Sequence, residues 1–296
     1  MTQANLPSNV NDIQQVAVIG AGTMGRGIAI SFANAGINVT LLDLNEEVRS
    51  QAMSYIEGIY AGMVKRERIT QAQADERLAC FSLSGDYAEI ADVQLAIEAV
   101  YENIDLKKKL FRALDEAIPA GVVLGTNTSS ISITMLAAET SRPDLVVGMH
   151  FMNPVPVMKL VEIIRGLQTD DATYEATIAL AKRMGKTTIT SKDCPGFIVN
   201  RILIPLINEA CFALQEGLGT PEDIDTGIKL GLNHPMGPLA LADLIGLDTC
   251  LAIADVLHRE LGDDKYRAAN ILRMHVAAGW HGRKAGRGFY NYSQGK

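Results

Sequence analysis

Two kinds of apolar periodicity divide the chain. From residue 15 to residue 190, short runs rich in β-branched residues alternate with amphipathic segments, as strands and crossover helices do in a mostly parallel sheet. We predict strands at five of these runs: 16–19, 39–42, 95–98, 122–124 and 146–149. The pattern predicts an α/β fold with a doubly wound, mostly parallel sheet of the Rossmann type.

Helical periodicity fills the segments between these strands. Leu106, Leu110 and Leu114 recur every fourth residue before Pro119, so we predict a helix whose apolar stripe covers the sheet. Residues 46–78 are charged and helical in period, and they are too long for one ordinary crossover. They predict a pair of helices that projects from the sheet.

Strand signals end near residue 196, and helical patterns take over at 197–216, 221–230, 239–261 and 266–278. A chain of 296 residues exceeds the usual size of one hydrophobic core. We therefore predict a nucleotide-binding Rossmann domain at 1–192 and a smaller all-helical domain at 193–296. The helical domain is expected to border the substrate cleft and to form a homodimer interface.

The charge and composition of the chain argue against several classes of function. The formal net charge of −7 disfavours nucleic acid and anionic lipid as partners. The polar start, residues 1–12, is unlike a signal peptide, and the most apolar run, 197–214, contains charged residues, so we expect a cytoplasmic protein without a membrane span. The four cysteines have neither zinc-ligand nor disulfide spacing, so we expect no metal site and buried free thiols.

A glycine motif follows the first predicted strand. Gly20, Gly22 and Gly25 form GxGxxG between that strand and a helical pattern, with Ala21, Thr23 and Met24 between the glycines. In a dinucleotide-binding turn these glycines allow the tight turn, the approach of the pyrophosphate and close helix packing. A lone motif of this kind is more often a plain turn, and the strand and helix around it favour the nucleotide site.

An acidic residue ends the second predicted strand. Asp43 lies eighteen residues after Gly25, where a carboxylate can accept hydrogen bonds from an adenosine ribose. Alone, Asp43 would be read as a turn residue or as the N-cap of a helix that starts near Glu46. Together with the glycines it predicts NAD, and its charge disfavours the 2′-phosphate of NADP.

A histidine and a glutamate provide candidate acid–base chemistry. His150 ends the fifth strand, and Glu162 lies twelve positions later within an apolar run that predicts a further strand, with prolines between. Each residue has a structural alternative, because histidines in strands are often structural and Glu162 could occupy an edge. An unpaired carboxylate would be costly to bury at 162, and a histidine partner would remove that cost.

At this point the sequence closely resembles the L-3-hydroxyacyl-CoA dehydrogenase family over almost the whole chain. The resemblance is carried by motifs in one order: GAGTMG (20–25), AVYEN (99–103), NTSS (127–130), HFMNPVPVMK (150–159), PGFIVNR (195–201), PMGP (235–238) and GRGFY (286–290). It implies reversible oxidation of an L-3-hydroxyacyl-CoA, such as 3-hydroxybutyryl-CoA, to the 3-oxoacyl-CoA with NAD as cofactor.

The resemblance also implies roles for individual residues. His150 and Glu162 would form the catalytic pair, with Ser129 and Asn200 beside the substrate. Contacts to NAD are implied for the glycine loop and for six further residues: Asp43, Glu102, Lys107, Ser129, Asn153 and Lys284. Basic residues on the projecting helices would hold coenzyme A, and the candidates are Lys65, Arg66 and Arg68.

Several alternatives stay open on sequence alone. Ser129 could cap a helix that begins near Ile131, Asn200 could serve helix packing, and Lys284 could be a solvated lysine. The basic residues on the projecting helices could form a plain solvated face. A related hydroxy-acid dehydrogenase of the gulonate type and a non-enzymatic NAD-binding protein compete with the main hypothesis, and the presence of both His150 and Glu162 favours an enzyme.

Overall fold

The computed structural model describes residues 13–293 of the chain. The chain divides into two compact units, and the division falls between Cys194 and Pro195. We call them unit 1 and unit 2. The division lies two positions beyond the boundary expected near residue 192.

Unit 1 is built on one eight-stranded sheet. In chain order the strands are β1 (Gln15–Ile19), β2 (Asn38–Leu42), β3 (Phe81–Ser84), β4 (Leu95–Glu98), β5 (Val123–Thr126), β6 (Val146–Phe151), β7 (Leu160–Arg165) and β8 (Thr187–Lys192). Their order across the sheet is β3-β2-β1-β4-β5-β6-β7-β8, and only the β6–β7 pairing is antiparallel. The predicted doubly wound, mostly parallel sheet is confirmed.

The five strands predicted from the pattern are all present, while β3 and β8 were not predicted. Both missed strands lie at the edges of the sheet, where β3 reads FSLS and β8 reads TTITSK. An edge strand in a parallel sheet has solvent beside it, so its sequence keeps polar residues. The period-based reading detects buried strands and overlooks such edges.

In the described part of unit 1, from residue 13 on, six α-helices accompany the sheet: α1 (Thr23–Asn34), α2 (Glu46–Lys65), α3 (Gln71–Leu78), α4 (Ile104–Ala117), α5 (Ile133–Ala137) and α6 (Asp171–Arg183). The pair predicted over residues 46–78 is confirmed as α2 and α3. The predicted stripe of α4 is partly wrong. Leu106 is 44% exposed, and the neighbouring Lys107 is buried with Leu110 and Leu114.

A buried arginine fixes the carboxyl end of α4. Arg142 is 3% exposed, and its guanidinium donates to the Asp115 carboxylate and to the main-chain carbonyls of Asp115, Ile118 and Pro119. These carbonyls belong to the last turn of the helix and the residues after it, where intrahelical partners run out. The Arg142–Asp115 pair therefore satisfies a helix end away from the candidate site residues.

Unit 2 is helical, as predicted. Its helices are α7 (Val199–Gln215), α8 (Pro221–Gly231), α9 (Pro238–Ile245), α10 (Leu247–Leu261) and α11 (Asn270–Ala277). The single helix predicted over 239–261 is wrong, because Gly246 has φ 107° and separates α9 from α10. The last helix is also shorter than predicted, since residues 264–266 form a separate 3₁₀ turn.

Two further expectations concern membrane-spanning helices and the burial of the cysteines. Among residues 13–293, no helix combines the length and apolarity that crossing a bilayer requires. The cysteines are all free, but only Cys211 and Cys250 are buried; Cys80 is partly exposed and Cys194 is exposed. The expectation of four buried thiols is therefore wrong for Cys80 and for Cys194, which lies in the polar segment that links the two units.

Candidate active site

The carboxyl ends of the parallel strands bring most of the unit 1 candidates to one edge of the sheet. From β1 the chain builds β2 and β3 on one side, and it then returns to place β4 on the other side of β1. Ligands of such sheets bind in the crevice at this reversal, outside the strand ends. The glycine loop follows β1, Asp43 follows β2, Glu102 follows β4 and Ser129 follows β5.

The glycine loop has the geometry of a phosphate-binding turn. Gly20 has φ 101°, and a Cβ there would lie 2.7 Å from the carbonyl oxygen of Ala99. A Cβ on Gly25 would lie 1.7 Å from the Gly20 carbonyl oxygen, so both positions require glycine. At Gly22, by contrast, a Cβ would have no heavy atom within 4 Å. The open space lies at the N-terminus of α1, where unpaired N–H groups favour an anion.

Asp43 organises the turn beside that loop. Its Oδ2 accepts from the Ala21 N–H at 3.0 Å, and its Oδ1 accepts from the Asn45 N–H at 3.0 Å. The N-cap of α2 is Asn45, whose side chain accepts from Glu47 and Val48, so the N-cap alternative for Asp43 is wrong. Arg49 donates to the Asp43 carbonyl oxygen from the other side.

A cleft of about 410 Å³ opens beside Asp43, within the range of small-molecule sites. Its walls are largely apolar, and one exposed wall residue is Leu106, the helix position that was expected to be buried. The other wall residues include Gly20, Leu44, Tyr87, Val100 and Lys109. An apolar cleft next to a carboxylate and a glycine turn fits the adenosine half of a dinucleotide.

His150 and Glu162 meet as a cross-strand pair. They are register partners in the antiparallel pairing of β6 with β7, so their side chains lie on the same face. His150 Nδ1 lies 2.7 Å from Glu162 Oε2. Glu162 is fully buried and His150 is 7% exposed. The sequence expectation that a histidine partner compensates the buried carboxylate agrees with this geometry.

Glu102 holds the loop that carries Ser129. Its Oε1 accepts from the Ser129 N–H at 3.0 Å, from the Ser130 N–H at 3.2 Å and from the Thr128 hydroxyl at 2.5 Å. Ser129 does not cap the next helix, because α5 begins at Ile133 and its N-cap is Ser132. The capping alternative for Ser129 is therefore wrong.

An enclosed ammonium group lies behind Glu102. Lys107 Nζ is 2.9 Å from Glu98 and 2.8 Å from Glu102 Oε2, and the Lys107 side chain is 1% exposed. Burial, the largest influence, would lower the pKa of Lys107, but the two carboxylates outweigh it and raise that pKa. Burial raises the pKa of Glu98, whereas at Glu102 the opposing effects of Lys107 and its hydrogen-bond donors lower the pKa.

The loop after β6 packs against α1, the helix that follows the glycine loop. Asn153 is exposed in this loop, and a Cβ on Gly27 of α1 would lie 3.0 Å from Val155. Lys186 Nζ donates to the carbonyl oxygens of Val155 and Met158 and holds the turn together. Asn127 links the loop after β5 to β6, because its side-chain oxygen accepts from the Phe151 N–H at 2.9 Å.

The remaining candidates lie apart in the chain. Lys65 and Arg66 are exposed at the end of α2, and Arg68 is exposed just beyond it. In unit 2, Asn200 is 8% exposed on α7. Lys284 is 51% exposed at its side chain and pairs with Asp248 at 2.7 Å, so it is not simply a solvated lysine.

Sequence reasoning missed Glu98 as part of the site. Its side chain is fully buried at the end of β4, although the residue was recognised only as the end of an apolar strand. The signal was the same one that marked Glu162, a carboxylate in a buried strand that must have partners. The partner was missed because the family resemblance assigned Lys107 to a contact with NAD.

Comparison with known proteins agrees with this geometry. Residues 15–194 match the family model for the NAD binding domain of 3-hydroxyacyl-CoA dehydrogenase, and residues 196–292 match its C-terminal domain. The probable 3-hydroxybutyryl-CoA dehydrogenase of Bacillus subtilis is 48% identical over 96% of this chain and 99% of its own length. The 3-hydroxybutyryl-CoA dehydrogenase of Bradyrhizobium diazoefficiens is 48% identical over 96% of this chain and 97% of its own.

A solved structure supports the same relationship. The crystal structure of (S)-3-hydroxybutyryl-CoA dehydrogenase from Ralstonia eutropha superimposes with a TM-score of 0.93 at 51% identity, covering 96% of this chain and 100% of that one. Family models thus match both units, and close relatives are covered over nearly their full lengths. The chain belongs to the 3-hydroxyacyl-CoA dehydrogenase family.

Proposed function

We propose that the protein catalyses the reversible, NAD-dependent oxidation of an L-3-hydroxyacyl-CoA, such as 3-hydroxybutyryl-CoA, to the 3-oxoacyl-CoA. The observation that carries the proposal is the buried His150–Glu162 pair, whose Nδ1 and Oε2 atoms lie 2.7 Å apart where β6 pairs with β7. Oxidation of a secondary alcohol requires a base for the hydroxyl proton, and an imidazole is suited to that task near neutral pH.

Glu162 would set the state of the imidazole. An ionised carboxylate only accepts hydrogen bonds, so beside it a neutral His150 would carry its proton on Nδ1 and present the lone pair of Nε2 as the base. When His150 takes the hydroxyl proton, the adjacent carboxylate stabilises the imidazolium. In the reverse direction the same imidazolium returns the proton to the carbonyl oxygen.

The residues of unit 1 fit NAD as the cofactor. NAD supplies the hydride acceptor when it is bound. The glycine loop would hold its pyrophosphate and Asp43 its adenosine ribose, because these groups border the open space at Gly22 and the apolar cleft. Glu102, Ser129 and Asn153 would complete the contacts, with Lys107 behind Glu102. Lys284 of unit 2 is the last proposed contact.

The substrate residues follow from the same hypothesis. Ser129 and Asn200 would orient the 3-hydroxyl group or the thioester by hydrogen bonds. Lys65 and Arg66 would attract the phosphates of coenzyme A. Both are exposed, and among the described residues neither forms an ion pair.

The substrate class has a direct test. Protein mixed with NADH and acetoacetyl-CoA should oxidise NADH, which is followed by the loss of its absorbance. Free acetoacetate is the matched control and should give little or no rate. Turnover of the free acid alone would instead support a hydroxy-acid dehydrogenase, and inactivity with both would contradict the proposal.

The acid–base pair predicts separate effects on turnover and binding. His150→Gln should lower kcat by about 10²-fold or more, because a positioned general base contributes on that scale. Glu162→Gln should lower kcat less, because the imidazole remains. NADH affinity, measured by fluorescence titration, should change little in either variant. A His150→Gln enzyme with near-normal kcat would exclude this residue as the base.

The choice between NAD and NADP should depend on Asp43. Asp43→Ser removes the charge that repels a 2′-phosphate and should narrow the ratio of kcat/KM values for NADH and NADPH. Arg49 remains beside the Asp43 main chain in that variant and can attract the phosphate. Adding Arg49→Met should therefore lower NADPH use again. An unchanged ratio in Asp43→Ser would contradict this account.

We also propose a homodimer that uses unit 2. Large apolar side chains are exposed there, including Ile202 (67%), Leu218 (82%), Leu230 (80%) and Leu232 (60%). A contiguous surface of such side chains is typical of subunit interfaces, and a second copy of the chain would bury them. Light scattering after size exclusion should give twice the mass of one chain, and a monomeric mass at micromolar concentration would contradict the proposal.

A further inference from the structure

Glu98 is a fully buried carboxylate that the proposed chemistry does not use. Its oxygens accept hydrogen bonds from Lys107 Nζ at 2.9 Å, from the Thr126 hydroxyl at 2.6 Å and from the Val100 N–H at 2.7 Å. A buried ion pair is a poor source of net stability, because desolvation offsets the attraction between its charges. The burial of this carboxylate therefore points to a task other than stability.

Glu98 reaches three loops at the reversal of the sheet. By accepting from Val100 it shapes the turn whose Ala99 carbonyl lies against Gly20. Its own carbonyl oxygen accepts from the Asn127 N–H at 2.8 Å, at the start of the Ser129 loop. Through Lys107 its side chain is connected to Glu102.

The two carboxylate oxygens of Glu102 contact different partners. Oε2 faces the Lys107 ammonium, while Oε1 accepts from the Ser129 N–H and the Ser130 N–H. Glu98 contacts the same ammonium at 2.9 Å. Without the Glu98 charge, Lys107 would compete for both oxygens of Glu102 and weaken its hold on the loop.

We propose that Glu98 and Lys107 are positioning residues that fix Glu102, and through it the main chain at Ser129. The inference rests on the proposed function, in which Ser129 orients the substrate. Lys107 acts through Glu102 in this account, since its ammonium is enclosed and already shared by two carboxylates. The ion triad thus sets the position of a substrate-binding loop.

The test compares Glu98→Gln, Glu102→Gln and the double variant. Glu98→Gln should lower kcat with acetoacetyl-CoA by about tenfold or more, since small misplacements of orienting groups are costly. The double variant should be no slower than Glu102→Gln alone, because both substitutions interrupt the same path. Amide hydrogen exchange should be faster at residues 128–131 in Glu98→Gln, a readout that needs no activity.

Asp115→Asn is the matched control. Asp115 is on the same helix and pairs with the buried Arg142, so its loss also leaves a buried cation without its carboxylate. The control should lower the thermal unfolding temperature but leave kcat and exchange at 128–131 close to wild type. Its effect on kcat should multiply with that of Glu102→Gln, because the two sites are independent.

Several outcomes would overturn the inference. One is a folded Glu98→Gln variant with kcat within about twofold of wild type and unchanged exchange at 128–131. Another is a double variant in which the losses of kcat caused by Glu98→Gln and Glu102→Gln multiply. If Glu98→Gln does not fold, Thr126→Val removes one hydrogen bond to Glu98 without changing charge. It also removes the acceptor of the Thr128 N–H, so exchange is read at residues 129–131, where it should still be faster. Unchanged exchange there would overturn the inference. An inactive wild-type enzyme would contradict the proposed function, while the exchange experiment would still decide the role of Glu98.

Discussion

The reversal of the sheet between β1 and β4 is the constraint on which the unit 1 site depends. Neighbouring parallel strands place their carboxyl ends at one edge, and the reversal sends their following loops apart to leave a crevice. The glycine loop, Asp43, Glu102 and Ser129 all come from loops at this edge. None of these residues could meet the others through local structure alone, because they lie up to about one hundred positions apart.

Burial of charge explains how the groups at this edge are held. Glu98 and Glu162 are fully buried, and each carboxylate has a basic partner within 3 Å. Leaving a buried charge without its partner costs about 3–5 kcal/mol, so these pairs restrict the conformations that the site can adopt. The cost of an unpaired buried charge has two consequences at this edge of the sheet. At Glu162 it orients an imidazole, and at Glu98 it orients a second carboxylate.

Sequence reasoning succeeded where a residue's neighbours along the chain decide its environment. The buried strands, the α2–α3 pair and the glycine loop all follow from local period and turn chemistry. It failed where contacts between distant segments decide. Lys107 replaced Leu106 on the buried side of α4 because Glu98 and Glu102 provide partners for its charge. The capping alternatives for Asp43 and Ser129 are wrong, because Asn45 and Ser132 accept from the helix N-termini.

By itself the sequence determined the fold class, the position of the dinucleotide turn and the family, because these depend on local periodicity and on motifs that are contiguous in the chain. Only the tertiary structure decided which residue of α4 is buried, that Glu98 belongs to the site, and that His150 and Glu162 are register partners. The physical reason is that pairing across strands and burial of a charge depend on atoms from distant segments. Such interactions exist only once the sheet has brought those segments together.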